Sequence, residues 1–333
     1  MEKQTVIPNF GSYQFPFQKS HYSGKVREVY TTMEGYIAMI STNRISAFDV
    51  VFPEPIPYKG AVLNLIAAYF LEETKDICPN WLREVLYPNV SVGVACEPIK
   101  VEVIVRGNMC GGLWRKYKDK KPIVWNLPYN LYEITPDIRE NDFLPFPIIT
   151  PTTKAENGHD EDITEEEIIS QGLCTKELWD EIEAVAHKLF AKGVAMAESR
   201  GLILADTKYE FGIWNGKLCL MDELHTPDSS RYFYAEGFPE RQKNGEPQKQ
   251  LSKEFVREWL MERNFMGEEG HVRPELPDEF IKEVSKRYIS LYTVLTQKPF
   301  PYAAADAATE EAVYEAVRLS FDQQRLKDKV PEN

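Results

Sequence analysis

Apolar positions along this chain recur with two periods. Leu63, Ile66, Ala67, Phe70 and Leu71 fall at i, i+3, i+4, i+7 and i+8, the stripe of an amphipathic helix. Leu178, Ile182, Val185, Ala186 and Leu189 follow the same period in a helix expected over 175–200, with Gly201 as its stop. Further helices are expected around 255–264, 278–295 and 309–327. Period two appears over 98–106, where Val101, Val103 and Val105 face one side and Glu102, Ile104 and Arg106 the other. Segment 91–96 is expected to be the partner of that strand. Strands over 25–31 and 36–42 are expected on either side of a turn at Met33-Glu34-Gly35. Segment 122–151 is rich in proline without a clear period and reads as loops and short strands. Segment 239–250 reads as a polar linker. A strand-rich first part and a mixed, more helical second part predict an α+β protein with lobes at 1–105 and 106–333 around a cleft.

The stretch 201–231 breaks the apolar pattern. It reads as a strand, a tight turn at Asn215-Gly216, a second strand and a polar loop. Asp206, Lys208 and Glu210 recur at period two, so one strand presents all three on one face. Asp222 and Glu223 close the second strand, and Asp228, Ser229, Ser230 and Arg231 follow. Separated carboxylates beside a lysine suit a Mg²⁺ ion that carries a nucleotide phosphate. The same residues also fit a solvated edge hairpin with surface ion pairs. A two-residue loop would turn Asp222 away from Glu210. A three-residue loop over 214–216, with a bulge, would set Asp222 opposite Lys208 and diagonal to Glu210. A shared metal site needs this second register or a similar bulge, which is expected, and an ideal type I′ turn would count against the site.

Composition narrows the classes. The net charge of −13 argues against nonspecific nucleic-acid binding. No apolar run is long enough to span a membrane, and the first residues lack a signal peptide's apolar core. The five cysteines, Cys78, Cys96, Cys110, Cys174 and Cys219, have no paired-ligand spacing and read as free thiols in a reducing cytoplasm. If the substrates are anionic, basic residues beside glycine turns become the informative ones.

Several segments have that form. Gly24-Lys25-Val26-Arg27 enters a strand from a turn where backbone amides can approach phosphates, without Walker-loop spacing. Segment 41–49, with Ser46 and Asp49, offers polar groups to a sugar or amino acid, or forms a capped turn. Tyr58-Lys59-Gly60 opens a helix and could place a cation and free amides near an anion. Arg106 ends its strand before Gly107, Gly111 and Gly112, a charged fork on a flexible backbone. Segment 150–160 is a polar loop with Lys154, His159 and Asp160, suited to a carboxylate or amine, or simply solvated.

Taken together, GKVREVY, STNRISAFDV, YKGAVLN, VEVIVRG, TPTTKAENGHD, ADTKYEFG and MDELHTPDSSR resemble the SAICAR synthase (phosphoribosylaminoimidazole-succinocarboxamide synthase) family of purine biosynthesis. They stand in the family's order over roughly residues 20 to 235, and the later helices look like its longer, eukaryote-like form. The resemblance implies an ATP-grasp-like, two-lobed fold with antiparallel sheets and a central ATP cleft, the first lobe taking ATP. It implies an ATP-dependent ligase joining L-aspartate to carboxyaminoimidazole ribonucleotide, giving SAICAR, ADP and phosphate. Small-molecule substrates, ATP and Mg²⁺ are the expected partners, with neither nucleic acid nor membrane. Carried over by position, Gly24, Lys25, Val26 and Arg27 would face the ATP phosphates, and Lys100 and Glu102 would border the adenine. Glu210 and Asp222 would hold Mg²⁺. Arg106 and Arg231 would grip the ribonucleotide phosphate, with Ser46, Asp49, Lys154 and Ser230 as further substrate contacts. Asp206, Lys208 and Asp160 would act where the substrate carboxylate meets the γ-phosphate, Asp160 and Asp206 being candidate bases. One departure is Gly111-Gly112, where many members read glycine-serine.

A carboxylate is a poor electrophile, so an acyl phosphate attacked by the aspartate amine is the expected route. Phosphoryl transfer needs charge neutralisation and alignment more than covalent help. A kinase shares lobes, glycine turn and paired carboxylates, but the protein-kinase catalytic loop and Asp-Phe-Gly set are missing from the chain. A noncatalytic nucleotide-binding protein would have no use for Arg106, Arg231 and the 154–160 loop together.

Overall fold

A computed structural model describes residues 9–127, 130–154, 161–268 and 270–328. In chain order the strands are β1 (Gln18–Ser23), β2 (Arg27–Thr32), β3 (Tyr36–Ser41), β4 (Ile45–Ala47), β5 (Val50–Phe52), β6 (Leu82–Tyr87), β7 (Val90–Val94), β8 (Glu97–Asn108), β9 (Phe143–Thr153), β10 (Leu202–Trp214), β11 (Lys217–Met221) and β12 (Ser230–Tyr234). The helices are α1 (Lys59–Glu73), α2 (Gly111–Lys118), α3 (Leu131–Ile134), α4 (Glu165–Ser170), α5 (Lys176–Glu198), α6 (Phe238–Asn244), α7 (Glu254–Met261), α8 (Asp278–Thr296), α9 (Tyr302–Asp306) and α10 (Glu310–Asp328). The α+β expectation holds, with antiparallel sheets throughout. None of the described helices is long and apolar enough to cross a membrane.

The chain divides into two compact units, one of residues 1–68, 81–95 and 256–333 and one of 69–80 and 96–255. Chain order and spatial grouping therefore differ, because the C-terminal helices expected with the second lobe belong to the first unit.

In the first unit the sheet order is β1-β2-β3-β7-β6, with β4 and β5 as a separate hairpin. Tyr30, Ala38, Ile40, Val90 and Val92 of this sheet pack with Tyr13, Phe15, Val313, Val317 and Phe321, so α10 and the N-terminal segment cover one face. Segment 91–96 was expected beside β8, but β7 lies between β3 and β6. Gly93 explains the preference: a Cβ there would fall 1.9 Å from the Trp81 carbonyl oxygen, so only a bare backbone admits the neighbouring chain.

In the second unit the order is β11-β10-β8-β9, and β12 also pairs with β10. The proline-rich segment contains an eleven-residue strand, β9, where short strands were expected. It is an edge strand, and the Pro151 carbonyl accepts from Ile163 on the outer side, so its missing N–H costs no ladder bond. The polar linker likewise holds a helix, α6, which has proline in its first turn and left-handed Gly237 and Gly245 at its ends. Helix α5, capped by the Thr175 side chain, packs against β10 and β8. Val101, Val103 and Val105 are buried as their period predicts. The charged residues lie on the alternate positions of the same strands.

Candidate functional site: a charged sheet face

The face is a grid set by register. Asp206 pairs with Arg106, Lys208 with Ile104 and Glu210 with Glu102 across β10 and β8. Across β8 and β9, Arg106 pairs with Ile148, Ile104 with Thr150 and Glu102 with Thr152. Side chains two apart on a strand share a face, so the grid gathers its ionised groups into two clusters.

The first cluster is a lysine between two carboxylates. The Lys208 ammonium is 2.5 Å from Glu102 and 2.7 Å from Glu210, and Lys154 also pairs with Glu210. Thr152 donates to Glu102 at 3.5 Å. Burial opposes the charge on Lys208, but Glu210 and Glu102 outweigh it and hold the ammonium above the ordinary lysine range. Burial likewise opposes ionisation of Glu210, yet Lys208 and Lys154 bring its carboxyl down to about 2.

The second cluster gathers arginines. Arg106 donates to Asp206 at 3.1 Å and to the Thr150 hydroxyl at 2.8 Å. Arg231 pairs with the same Asp206 oxygen, and its other nitrogen donates to Glu254 at 2.9 Å. Arg115 lies 3.6 Å from Glu254. The Arg231 Nε is buried without a partner, a donor that a bound anion would satisfy. The Cys110 thiol is 3.7 Å from Asp206 and is pushed far up, first by burial and then by that carboxylate.

Strand β12 puts Arg231 there, pairing it directly with Asp206. The sequence reading had placed Asp228 to Arg231 in a loop; a strand beginning at Ser230 replaces its last residues. Ser230, expected at a substrate, is buried and donates to Thr207 at 2.8 Å. Gly111 makes room for Arg231: its φ is +57°, and a Cβ would meet the guanidinium at 2.2 Å. Gly112 is open, with only Arg115 at 3.9 Å from such an atom. Gly111→Ala is therefore expected to displace Arg231, adding steric overlap to a left-handed backbone penalty of roughly 1–2 kcal/mol. Gly112→Ser should be tolerated. Thermal midpoints and the affinity for inorganic phosphate, measured on both variants, check the contrast.

The expected hairpin register is corrected. Trp214 pairs with Lys217 and Glu210 with Met221, which leaves a two-residue loop. Asn215 (φ 50°) and Gly216 (φ 72°) are both left-handed, as a type I′ turn requires, and its twist suits the flanking strands better than a bulged loop. Asp222 is thus not opposite Lys208, and this turn counts against a metal site shared by Glu210 and Asp222. Strict alternation would send it to the far face, but Asp222 lies just past β11 with φ 57°, where the pleat no longer governs direction. Among the described residues no three or more acids, histidines or cysteines gather as a metal cage. A nucleotide-borne Mg²⁺ asks for less, one or two carboxylates with phosphate oxygens and water. Glu210, buried and held ionised, fits that donor chemistry.

The remaining candidates spread over both units. In the first, Lys25 pairs with Asp49, and the Gly24 amide donates to the Arg27 carbonyl at 2.8 Å. Phe48 and Asp49 form the tip of the β4–β5 hairpin with φ of 52° and 62°, left-handed at both positions without a glycine. Ser46 is buried within β4. In the second, Lys100 is exposed on β8, and Glu102, expected beside an adenine, has its carboxylate in the Lys208 cluster. Asp160 lies outside the described residues. Glu254 was missed, since it stands 23 positions from Arg231 and carries no local signal.

Known proteins resemble the chain over most of its length. The SAICAR synthetase family model matches residues 20–274. A phosphoribosylaminoimidazole-succinocarboxamide synthase of Bacteroides thetaiotaomicron is 54% identical over 289 residues, 86% of this chain and 90% of its own length. A SAICAR synthase from Saccharomyces cerevisiae, solved in complex with SAICAR, superposes with a TM-score of 0.69 at 27% identity, over 86% of this chain and 96% of its own. A SAICAR synthetase solved in complex with ADP shares the fold, with a TM-score of 0.62 at 21% identity over 84% of this chain and 99% of its own. The chain belongs to the SAICAR synthetase family, whose members use ATP to ligate aspartate to carboxyaminoimidazole ribonucleotide in purine biosynthesis.

Proposed function

We propose that this chain makes SAICAR, ADP and phosphate from ATP, L-aspartate and carboxyaminoimidazole ribonucleotide through an acyl phosphate, using the charged face for the ribonucleotide. One observation carries the placement. The arginine cluster at Asp206 and the lysine–carboxylate cluster at Glu210 stand on the same face of one strand. Four residues of strand separate them by roughly 13 Å. An anionic substrate can thus have its phosphate held at one end and its reacting carboxylate at the other. SAICAR and ADP, the ligands of two relatives, are products of this reaction and support it.

Arg106 and Arg231 bind the ribonucleotide phosphate, and the buried Arg231 Nε supplies a donor. Gly24, Lys25, Val26 and Arg27 bind the ATP phosphates, and Lys100 and Glu102 border the adenine. Lys208 and Lys154 neutralise charge where the carboxylate is phosphorylated. Ser46, Asp49 and Ser230 complete the substrate contacts, and Asp160 receives the amine proton, since Asp206 stands with the arginines at the phosphate end of the face. A Mg²⁺ ion held by Glu210 with Asp222 would neutralise phosphoryl oxygens. The free thiols agree with a cytoplasmic setting.

The test is ADP release by the purified protein with ATP, Mg²⁺ and the ribonucleotide, with and without L-aspartate, together with product mass. Aspartate-dependent ADP with the succinocarboxamide mass is expected, reduced about a hundredfold or more in Glu210→Ala. ADP without aspartate and without that product would indicate a kinase. ATP binding with no turnover would indicate a binding module.

A further inference from the structure

The first unit holds a second built network, centred on Arg44. Its guanidinium donates from Nε to the Lys25 carbonyl at 3.1 Å and from Nη2 to the carbonyls of Gly24 at 2.8 Å and Arg27 at 3.3 Å. The Val26 carbonyl, between them, accepts from the Thr42 amide and hydroxyl, both at 2.9 Å. Four consecutive carbonyls of the glycine turn are thus each held by Thr42 or Arg44.

The guanidinium is itself fixed. Its Nη1 donates to Glu28 at 2.6 Å. Glu28 is 2% exposed and also accepts from Ser23 at 3.0 Å, and it lies 2.8 Å from the His21 ring nitrogen. A buried carboxylate satisfied on this scale locks its arginine partner in place.

Peptide planarity turns this brace into a functional device. No peptide bond among the described residues is cis, so each of these carbonyls points opposite to the next residue's N–H. Holding the Gly24 and Lys25 carbonyls on Arg44 aims the Lys25 and Val26 amides the other way. Among the described residues neither amide donates to a partner. Two adjacent free donors beside a lysine are the makings of an anion nest.

We infer that Arg44 is a positioning residue for ATP: it touches no phosphate, but orients the Lys25 and Val26 amides that do. The inference rests on the reading that the Gly24–Arg27 turn receives the ATP phosphates. A planar fork reaching three carbonyls is a role lysine cannot fill, because an ammonium acts as a point charge.

The experiment compares Arg44→Lys, Arg44→Ala and Lys25→Ala with the parent, reading melting midpoint, kcat and the KM of ATP, L-aspartate and the ribonucleotide separately. Arg44→Lys, which keeps the charge beside Glu28, is expected to fold with a lowered midpoint and to raise the ATP KM roughly tenfold, the scale of one charge-assisted hydrogen bond. The other two KM values should stay within about twofold, a margin well below that bond. Arg44→Ala should raise the ATP KM further; if it does not fold, Arg44→Lys decides. An unchanged ATP KM in folded Arg44→Lys, with a raised one in Lys25→Ala, overturns the role of Arg44 and leaves the phosphate turn standing. An unchanged ATP KM in Lys25→Ala removes the phosphate turn itself, and the inference with it. Parallel rises in all three KM values would mark general structural damage and also overturn it.

Discussion

Lys208→Met is expected to destabilise the protein by about 3–5 kcal/mol, the range for removing one partner of a buried ion pair, and to lower kcat by about 10²–10³. Glu102 and Glu210 are directly opposite on neighbouring strands, where side chains stand about 5 Å apart. Both are buried, and Lys208 bridges them. Without it two carboxylates share a site, and one must take up a proton. Lys154 remains on Glu210 but is 45% exposed, so solvent screens it. The sign of the pH dependence then changes. In the parent Glu210 is held at about 2, below the ordinary 4.5, so its contribution is present above pH 4.5 and lost as pH falls towards 2. In the variant a raised carboxyl contributes at low pH and loses that contribution as pH rises through its new value. Urea unfolding from pH 3 to 8 reads both. Adding Glu102→Gln should recover stability without recovering kcat, because the like-charge pair is gone while the ammonium proposed to act at the reacting carboxylate is still missing. A loss under about 1 kcal/mol would make the cluster an ordinary surface network.

That prediction depends on a register the chain only half discloses. Alternation at 101–106 and 206–210 shows which residues share a face, since period two is local. It does not show that Glu102 and Glu210 are opposite, because pairing is set by the whole ladder and by the bulge beyond Glu210. Asn215-Gly216 announces its own turn type, and the bulged alternative failed against that local chemistry. The misplacement of segment 91–96 has a different cause. Its apolar alternation suits either sheet, and the close approach of Trp81 at Gly93, which decides the matter, is a tertiary fact. Arg231 was legible as a cation closing a polar loop, but not as a strand residue facing Asp206. Glu254 gave no sign at all, since nothing in a helix's first turn marks a carboxylate as a guanidinium partner. Motif order, by contrast, identified the family, because seven modest segments in sequence constrain far more than any one of them.

Asp206→Asn is expected to be comparably severe, by a different route. Arg106 and Arg231 both depend on one Asp206 oxygen, and neither can shed its proton. The amide keeps the shape of the carboxylate but not its charge, so of two largely buried guanidinium groups Arg231 retains Glu254 while Arg106 retains the uncharged Thr150 hydroxyl. A cost of about 3–5 kcal/mol is expected in buffers without multivalent anions. Unlike the Lys208 variant, this one should be rescued by ligand. An anion bound at 100 times its Kd adds about 2.7 kcal/mol to the folded state. Inorganic phosphate should therefore raise the variant's melting midpoint more than the parent's, where Asp206 already balances the arginines. Activity should not return with it. Phosphate would compete with the ribonucleotide for the arginines proposed to hold it, and the carboxylate that pairs with both would still be missing. Glu254→Gln separates charge from position. It leaves Asp206 in place, so it should show a smaller loss and a smaller phosphate response. Equal phosphate responses in the parent and Asp206→Asn would mean that the arginine pair is not an anion site, and the placement of the ribonucleotide phosphate would fall with it.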